Sequence, residues 1–157
     1  MIIVPDAGPL TYLAGAGHNR LLPALYIEVI VPRVVFDEVV VAGAGLTGAS
    51  EVQGATWLRV EDAPIDPLLL EVLDRGEAAA IPLAERLQAT LLVDDLQARE
   101  IARQRELTIV GSLGVLLAAK RRGLIAAVGP IVLRMEALGM FLSGELRDAV
   151  LRAAAES

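Results

Sequence analysis

The 157-residue chain has no cysteine and few aromatic side chains, which make up only 3% of its residues. The lack of cysteine excludes disulfides, thiolate metal sites and cysteine nucleophiles, and it fits a reducing compartment such as the cytoplasm. The scarcity of aromatic residues argues against a surface on which nucleic-acid bases stack. Since 55% of the residues are hydrophobic, we expect a core of aliphatic side chains.

Several catalytic and membrane signals are also missing. His18 is the single histidine and lies in a predicted loop, which excludes paired-histidine ribonuclease chemistry and histidine-rich zinc sites. Neither a GxSxG elbow nor a phosphate-binding P-loop is present. The longest uncharged run, Leu107 to Ala119, is too short to span a bilayer, which needs roughly 20 residues. We therefore expect a soluble cytoplasmic protein that does not contact a membrane.

The net charge of −6 argues against a protein that coats duplex DNA, because affinity for phosphates comes from lysine and arginine. Acidic residues that bind divalent cations would weaken this objection, because the bound ions reverse the local charge. Basic residues concentrate in two runs, of which the simpler interpretation is a solvated helix face. From these runs we take as candidate RNA-binding residues Arg99, Arg103, Lys120, Arg121 and Arg122.

Short apolar runs alternate with longer helical patterns, which predicts an α/β fold with a mostly parallel sheet and helices on both faces. The predicted strands are Ile2–Val4, Val29–Val31, Thr56–Val60, Thr90–Val93 and Leu107–Val110. The predicted helices are Leu10–Ala16, Asn19–Tyr26, Arg33–Ala42, Pro67–Leu73, Glu77–Gln88, Leu96–Arg105, Leu113–Arg122, Pro130–Leu138 and Gly144–Ala154. The length predicts one domain over residues 1–157, with a core at about 1–125 and a helical tail at about 126–157.

Two helix ends carry local signals. Gly123 follows the basic run at Lys120, and glycine accepts the left-handed conformation that ends many helices. Ser143 stands before a helical pattern and is a typical N-cap residue.

Acidic residues directly follow two predicted strands. Asp6 comes after the first strand, and Asp94 and Asp95 come after the fourth. Ligands of open parallel sheets bind beyond the carboxyl ends of the strands, so these positions are candidates for function. The simpler alternative for each is an N-cap that accepts backbone N–H bonds.

Two further acids lie in predicted helices. Glu38 is three or four positions from Val34, Val35 and Val41, so in a helix it would stand within the apolar stripe. Glu77 opens the helix that carries Ala80 and Ala84, where a first-turn glutamate could merely favour the helix dipole.

A cation is the simplest way to stabilise carboxylates that cluster on a partly buried surface, since they otherwise repel one another. Ligand sets made only of oxygen select hard ions such as magnesium, manganese or calcium. Two such ions suit the in-line hydrolysis of a phosphodiester.

Five segments, taken in their order and spacing, resemble the PIN-domain family of ribonucleases. They are VPDAGPLTYLA, VPRVVFDEV, LDRGEAAAIPLA, LLVDDLQAREIA and VGSLGVLLAAKRRGLI, and the C-terminal FLSGELRDAVL is similar to the tail of an uncharacterised PIN-like branch. The resemblance implies a three-layer α/β/α fold with strand order 3-2-1-4-5 and C-terminal helices. It also implies metal-dependent hydrolysis of RNA phosphodiester bonds with Mg²⁺ or Mn²⁺.

The acidic positions of that family match Asp6, Glu38, Glu77 and Asp94, which the resemblance makes both catalytic residues and metal ligands. Asp95 would be a further ligand and Ser112 an auxiliary residue. Many relatives are toxins that a small antitoxin protein neutralises, so the resemblance also implies an antitoxin partner and a homodimer. Glu77 stands where aspartate is usual, and Leu92 where threonine commonly precedes the strand-end aspartate. A catalytically weak or inactive binding module is therefore the first alternative.

A dinucleotide-binding protein is the second alternative. Gly43, Gly45 and Gly48 match GxGxxG after the run Val39–Val41, and Glu61 follows at a suitable distance. Gly54 interrupts the short helix that would follow, and the remaining chain is small for a complete dinucleotide fold.

Overall fold

Five parallel strands form the centre of the computed structural model, which describes residues 1–156. They are β1 Ile2–Pro5, β2 Glu28–Pro32, β3 Leu58–Glu61, β4 Thr90–Leu92 and β5 Ile109–Val110. Their order is β3-β2-β1-β4-β5, which confirms the predicted 3-2-1-4-5 arrangement. Every neighbouring pair is parallel, so the carboxyl ends of all the strands lie at one edge of the sheet.

Helices cover both faces of the sheet, because successive strand side chains point to opposite sides. Ile3 and Leu92 belong to one buried cluster, whereas Val4 and Leu91 belong to the other. The predicted three-layer α/β/α architecture is therefore confirmed.

The α-helices are short, and the longest has 13 residues. They are α1 Ala7–Gly15, α2 Leu21–Leu25, α3 Arg33–Asp37, α4 Ala49–Gln53, α5 Arg75–Leu87, α6 Leu96–Gln104, α7 Ser112–Arg121, α8 Gly129–Ala137 and α9 Gly144–Ala153. Both predicted helix ends are confirmed: Gly123 has a φ of +74°, and the Ser143 side chain accepts a bond from the Leu146 N–H. Within residues 1–156, the helices are too short or too polar to cross a lipid bilayer.

Several predicted helices differ from the observed ones in their boundaries or in kind. Helix α1 begins at Ala7, directly after Asp6, and α5 begins at Arg75, because Asp74 caps it. The segment predicted as a helix over Pro67–Leu73 forms only a single 3₁₀ turn, Leu69–Glu71.

The predicted helix Arg33–Ala42 is also wrong in kind over its second half. Helix α3 ends at Asp37, and a π-helical segment spans Glu38–Ala42. The run Val39–Val41 lies in that segment, so no strand precedes the glycines of the GxGxxG match. The dinucleotide alternative is therefore wrong, because the fingerprint requires a strand that leads directly into the glycine turn.

Candidate metal centre

Asp6 leaves the carboxyl end of the central strand β1 and enters a buried position. The residue is 7% exposed, and its backbone N–H donates to the Leu92 carbonyl at 2.9 Å. Asp6 is the N-cap residue of α1, yet its side chain makes no capping hydrogen bond. Its Oδ1 is buried and has no hydrogen-bond partner among the described residues. The simple N-cap interpretation therefore does not account for this carboxylate.

The surroundings of Asp6 are acidic. Burial raises the pKa of the Asp6 carboxyl to about 8; the Ala7 N–H opposes the rise, and the charges of Glu77, Asp74 and Glu38 add to it. A buried carboxylate without a partner is costly, and such groups call for a physical explanation. The Asp6 site thus has both an unused oxygen and an excess of nearby negative charge.

Glu77 reaches the same site from the first turn of α5. It is 7% exposed, and burial raises the pKa of its carboxyl to about 7, with the charges of Asp74 and Asp95 contributing. Its Oε1 accepts the Asp74 N–H at 3.2 Å, while its own N–H donates to Asp74 Oδ1 at 2.8 Å. This reciprocal pair is a capping box, so Glu77 both caps the helix and belongs to the acidic site.

Asp74 and Gly76 are residues of this site that the sequence interpretation missed. A Cβ placed on Gly76 would lie 3.1 Å from Asp6 Oδ1 and 3.5 Å from Asp74 Oδ1, so the missing side chain lets the start of α5 approach both carboxylates. The sequence did carry a signal for Asp74, because Asp74-Arg75-Gly76-Glu77 matches the D-x-x-E capping pattern.

Glu38 lies at the junction of α3 and the π-helical segment. The residue is exposed, which corrects the prediction that it stands within the buried stripe. Partial burial of its carboxylate raises its pKa, and the charge of Asp74 adds to the rise. Isolated π-helical turns occur frequently at functional sites, and this one holds Glu38 close enough to Asp6 for its charge to raise the pKa of Asp6.

Asp94 is fixed by Ser112, the first residue of α7. Its Oδ1 accepts the Ser112 N–H at 2.7 Å and its Oδ2 accepts the Ser112 hydroxyl at 2.6 Å. Ser112 is fully buried, so this pairing holds the Asp94 carboxylate in one orientation. Asp94 is not among the acids whose charge raises the pKa of Asp6. The structure thus brings Asp6, Glu38 and Glu77 close enough for their charges to interact. Asp94 is instead bound to Ser112, which follows the neighbouring strand β5.

Asp95 meets the N-cap alternative and also couples to the site. Its Oδ2 accepts the Ala98 N–H at 2.9 Å and caps α6, while its charge contributes to the raised pKa of Glu77. Among residues 1–156, no three histidine or acidic side chains already converge as a ready-made metal cage. The acids therefore form a loose cluster around a buried oxygen and not a closed coordination shell.

The candidate RNA-binding residues occupy different surroundings. The Arg99 Nη1 donates to the Val93 carbonyl at 2.9 Å, beside Asp94, and the exposed Arg103 lies 3.7 Å from Glu100. Lys120 binds Glu156 Oε2 at 2.8 Å and the Ala154 carbonyl, so its ammonium is engaged with the C-terminal segment. This structural pairing opposes the prediction that Lys120 contacts RNA. Both remaining candidates, Arg121 and Arg122, are exposed at the end of α7.

The chain belongs to the PIN-domain family, whose model matches residues 2–156. A PilT N-terminus domain protein from the hyperthermophilic archaeon Sulfolobus solfataricus P2 has a similar structure, with a TM-score of 0.55 and 16% sequence identity. The similarity covers 76% of this chain and 93% of that one, and at this identity it concerns the fold alone. No curated protein sequence matches the chain significantly. Family membership gives the chain a fold of the nuclease type.

Proposed function

We propose that the protein is a metal-dependent endoribonuclease that hydrolyses RNA phosphodiester bonds. In this proposal, Asp6, Glu38, Glu77 and Asp94 hold Mg²⁺ or Mn²⁺, with Asp95 as a further ligand. The observation that carries the proposal is the buried Oδ1 of Asp6, which has no hydrogen-bond partner among the described residues and belongs to a carboxyl whose pKa is raised by burial and by the charges of nearby acids.

A divalent cation fits this site chemically. A hard ion prefers carboxylate oxygens, and it would neutralise the repulsion that raises the pKa of both Asp6 and Glu77. Asp74 belongs to the same cluster and can assist through its charge, although its Oδ1 already caps α5. When bound, the ion would supply Lewis-acid stabilisation of the charge that develops on the scissile phosphate.

The protein's own residues would divide the remaining work. Asp6 would offer its unpaired Oδ1, and Glu77 would offer Oε2, because its Oε1 is used by the Asp74 N–H. Ser112 orients Asp94 so that its carboxylate keeps a fixed direction at the end of β4. Glu38 would contribute from an exposed position. Preorganised groups of this kind lower the cost of reaching the transition state.

The assignment as a toxin, a small antitoxin partner and a homodimer rest on the resemblance alone. The cytoplasmic localisation and the single-domain organisation rest on composition and chain length. All of these stay predictions.

The test is a cleavage assay on mixed single-stranded RNA with Mn²⁺, comparing wild type with Asp94→Asn. Asp148→Asn is the matched control, because Asp148 is an exposed aspartate of α9 that does not line the groove beside Asp94. We expect cleavage by wild type and Asp148→Asn, and loss of cleavage by Asp94→Asn and in EDTA. Equal residual activity in every variant would identify a contaminating nuclease and remove the proposal.

A PIN-like module that binds without turnover is the second candidate function. Two observations favour it: the acids do not form a ready-made cage within residues 1–156, and Ser112 already binds both oxygens of Asp94. This candidate predicts that Mn²⁺ raises the melting temperature of wild type while RNA stays intact. Cleavage that depends on both Mn²⁺ and Asp94 would exclude it.

A further inference from the structure

A groove of about 550 Å³ opens beside Asp94. Helix α6 lines it with Leu96, Arg99 and Arg103, and the segment between α8 and α9 lines it with Phe141. Asp94 itself lines one part of the groove, so the groove is continuous with the carboxyl edge of the sheet.

Phe141 is the aromatic residue that the fold leaves in solvent. It is 88% exposed, whereas the other aromatic side chains are partly buried and pack against the core. Leu96, which lines the same groove from α6, is 82% exposed. Full burial of a large apolar side chain is favourable by a free energy of about 1.5–3 kcal/mol. Two exposed apolar side chains that line one groove therefore mark a surface suited to a ligand.

The same groove carries positive charge in a protein whose net charge is −6. Arg99 is anchored by its bond to the Val93 carbonyl, which directs it toward the end of β4. The exposed Arg103 lies one helical turn further along α6. An aromatic face beside two guanidinium groups is complementary to a nucleotide, whose base stacks and whose phosphate is anionic.

We propose that this groove is a nucleotide subsite of the RNA substrate, in which one unpaired base stacks on Phe141 and a backbone phosphate binds Arg103 and Arg99. The inference rests on the proposed ribonuclease function, since an RNA strand bound in the groove would reach Asp94. It selects single-stranded RNA, because the faces of bases in a duplex are already stacked. The low aromatic content argued against a stacking surface, but one exposed aromatic in the right place is enough for one base.

The observations favour RNA over a protein segment as the occupant. An apolar partner peptide would use Leu96 and Phe141, but it would not draw on the positive charge of Arg99 and Arg103. An RNA strand uses the apolar and the cationic groups together, and it must in any case approach Asp94 to be cleaved.

The first test measures the binding of a labelled single-stranded RNA by fluorescence anisotropy in EDTA, so that no cleavage interferes. We expect Phe141→Ala to weaken binding by about tenfold and Arg103→Gln to weaken it and reduce its salt dependence. The matched control is Ile27→Ala, since Ile27 is 84% exposed at the opposite edge of the sheet, just before β2. A duplex of the same length should show no effect of Phe141→Ala.

A second measurement reports contact at the position itself. Phe141→Trp is made in a Trp57→Phe background, so that the new tryptophan is the only one in the chain. Stacking with a base should quench its emission as RNA is added, and Ile27→Trp in the same background should not respond.

These measurements separate the subsite from the cleavage reaction. If wild type does not cleave but Phe141 variants still alter binding and quenching, the nuclease proposal fails and the subsite stands. If wild type cleaves and Phe141→Ala binds RNA as wild type does, the subsite proposal is overturned. If Phe141→Ala then also converts a dimer into a monomer in light scattering, the groove is a protein interface.

Discussion

Asp6 is the residue on which the proposed metal site depends, because its burial places a carboxylate where charge is unfavourable. The folded pKa is about 8 against an ordinary value of 3.8, so the folded protein binds a proton more tightly than the unfolded chain does. The sign follows from proton linkage: the contribution to stability is complete below about pH 4 and is lost as the pH rises toward 8. A cation bound in place of the proton would restore this contribution to the free energy of unfolding.

We expect Asp6→Asn to flatten this pH dependence. Without metal, the free energy of unfolding of wild type should fall between about pH 4 and pH 8, and the variant should fall less, since asparagine does not titrate. Part of the slope should remain because Glu77, with a folded pKa of about 7, titrates in the same window. Urea titrations across this pH range measure the free energy of unfolding of wild type and of Asp6→Asn. A parallel decline in the two proteins would contradict the burial argument.

The same variant tests cation binding directly. Millimolar Mn²⁺ should raise the melting temperature of wild type near pH 8 and raise that of Asp6→Asn much less. Asp148→Asn, which alters an exposed aspartate, should respond as wild type does. An equal gain in all three proteins would place the cation elsewhere.

A further prediction concerns the side chain of Ser112. Ser112→Ala removes the hydroxyl bond to Asp94 in a fully buried setting, and hydrogen bonds to charged groups contribute about 1.5–3 kcal/mol. We expect a lower urea midpoint together with slower cleavage. Ser143→Ala is the control, because it removes the cap of α9 without touching Asp94. It should lower stability by about 1 kcal/mol and leave the cleavage rate per folded molecule unchanged.

At the scale of secondary-structure elements, the first turn of α5 combines a structural and a functional role. Asp74 and Glu77 cap the helix reciprocally, and both contribute charge to the acidic site. Gly76 between them allows this turn to approach Asp6. The position of the first turn of α5 therefore determines how closely its acids approach Asp6 and how much negative charge surrounds that carboxyl.

Two substitutions of Asp74 separate these roles. Asp74→Asn keeps a good N-cap and removes a charge, so it should lower the pKa of Asp6 and reduce the pH dependence of stability with little loss of stability. Asp74→Ala removes the cap as well and should cost about 0.5–2 kcal/mol. Urea titrations over pH distinguish the two. If Asp74→Asn were as unstable as Asp74→Ala, the charge and the cap would not be separable.

Two elements differed from the prediction for physical reasons that lie outside their own residues. The run Val39–Val41 is compatible with a strand, a regular helix or a π-helix, and contacts with distant elements decide among them. Strand β5 has only two residues although four were predicted, because only Ile109 and Val110 lie in register with β4.

At the scale of the whole molecule, Glu156 ties the C-terminal segment to two helices. Its carboxylate accepts the N–H groups of Val128 and Gly129 at 2.8 and 2.9 Å and pairs with Lys120. These contacts hold the pKa of Glu156 at about 2, chiefly through Lys120. The C-terminal segment is thereby fixed beside the start of α8.

We expect Glu156→Gln to lower the urea midpoint at neutral pH. Because the folded pKa is depressed, the contribution of Glu156 is present above about pH 4.5 and is lost as the pH falls toward 2. The difference between wild type and variant should shrink over that window. Glu145→Gln, which alters an exposed glutamate at the start of α9, should show no such difference. A gap that stays constant down to pH 2 would contradict the assigned role of the charge.

The residues alone predict an α/β fold with a mostly parallel sheet and the acids that follow β1 and β4, whereas the strand order was predicted from the resemblance to the PIN-domain family. The α/β pattern and the position of the acids are encoded locally, by apolar period, by helix caps such as Ser143 and by an acid one residue after a strand. The tertiary structure adds that Asp6 Oδ1 is buried with no hydrogen-bond partner among residues 1–156, that Asp74 joins the site, that Glu38 is exposed and that Asp94 is bound by Ser112. Each of these depends on groups far apart in the chain, and burial and charge coupling act through distances in space that no local pattern specifies.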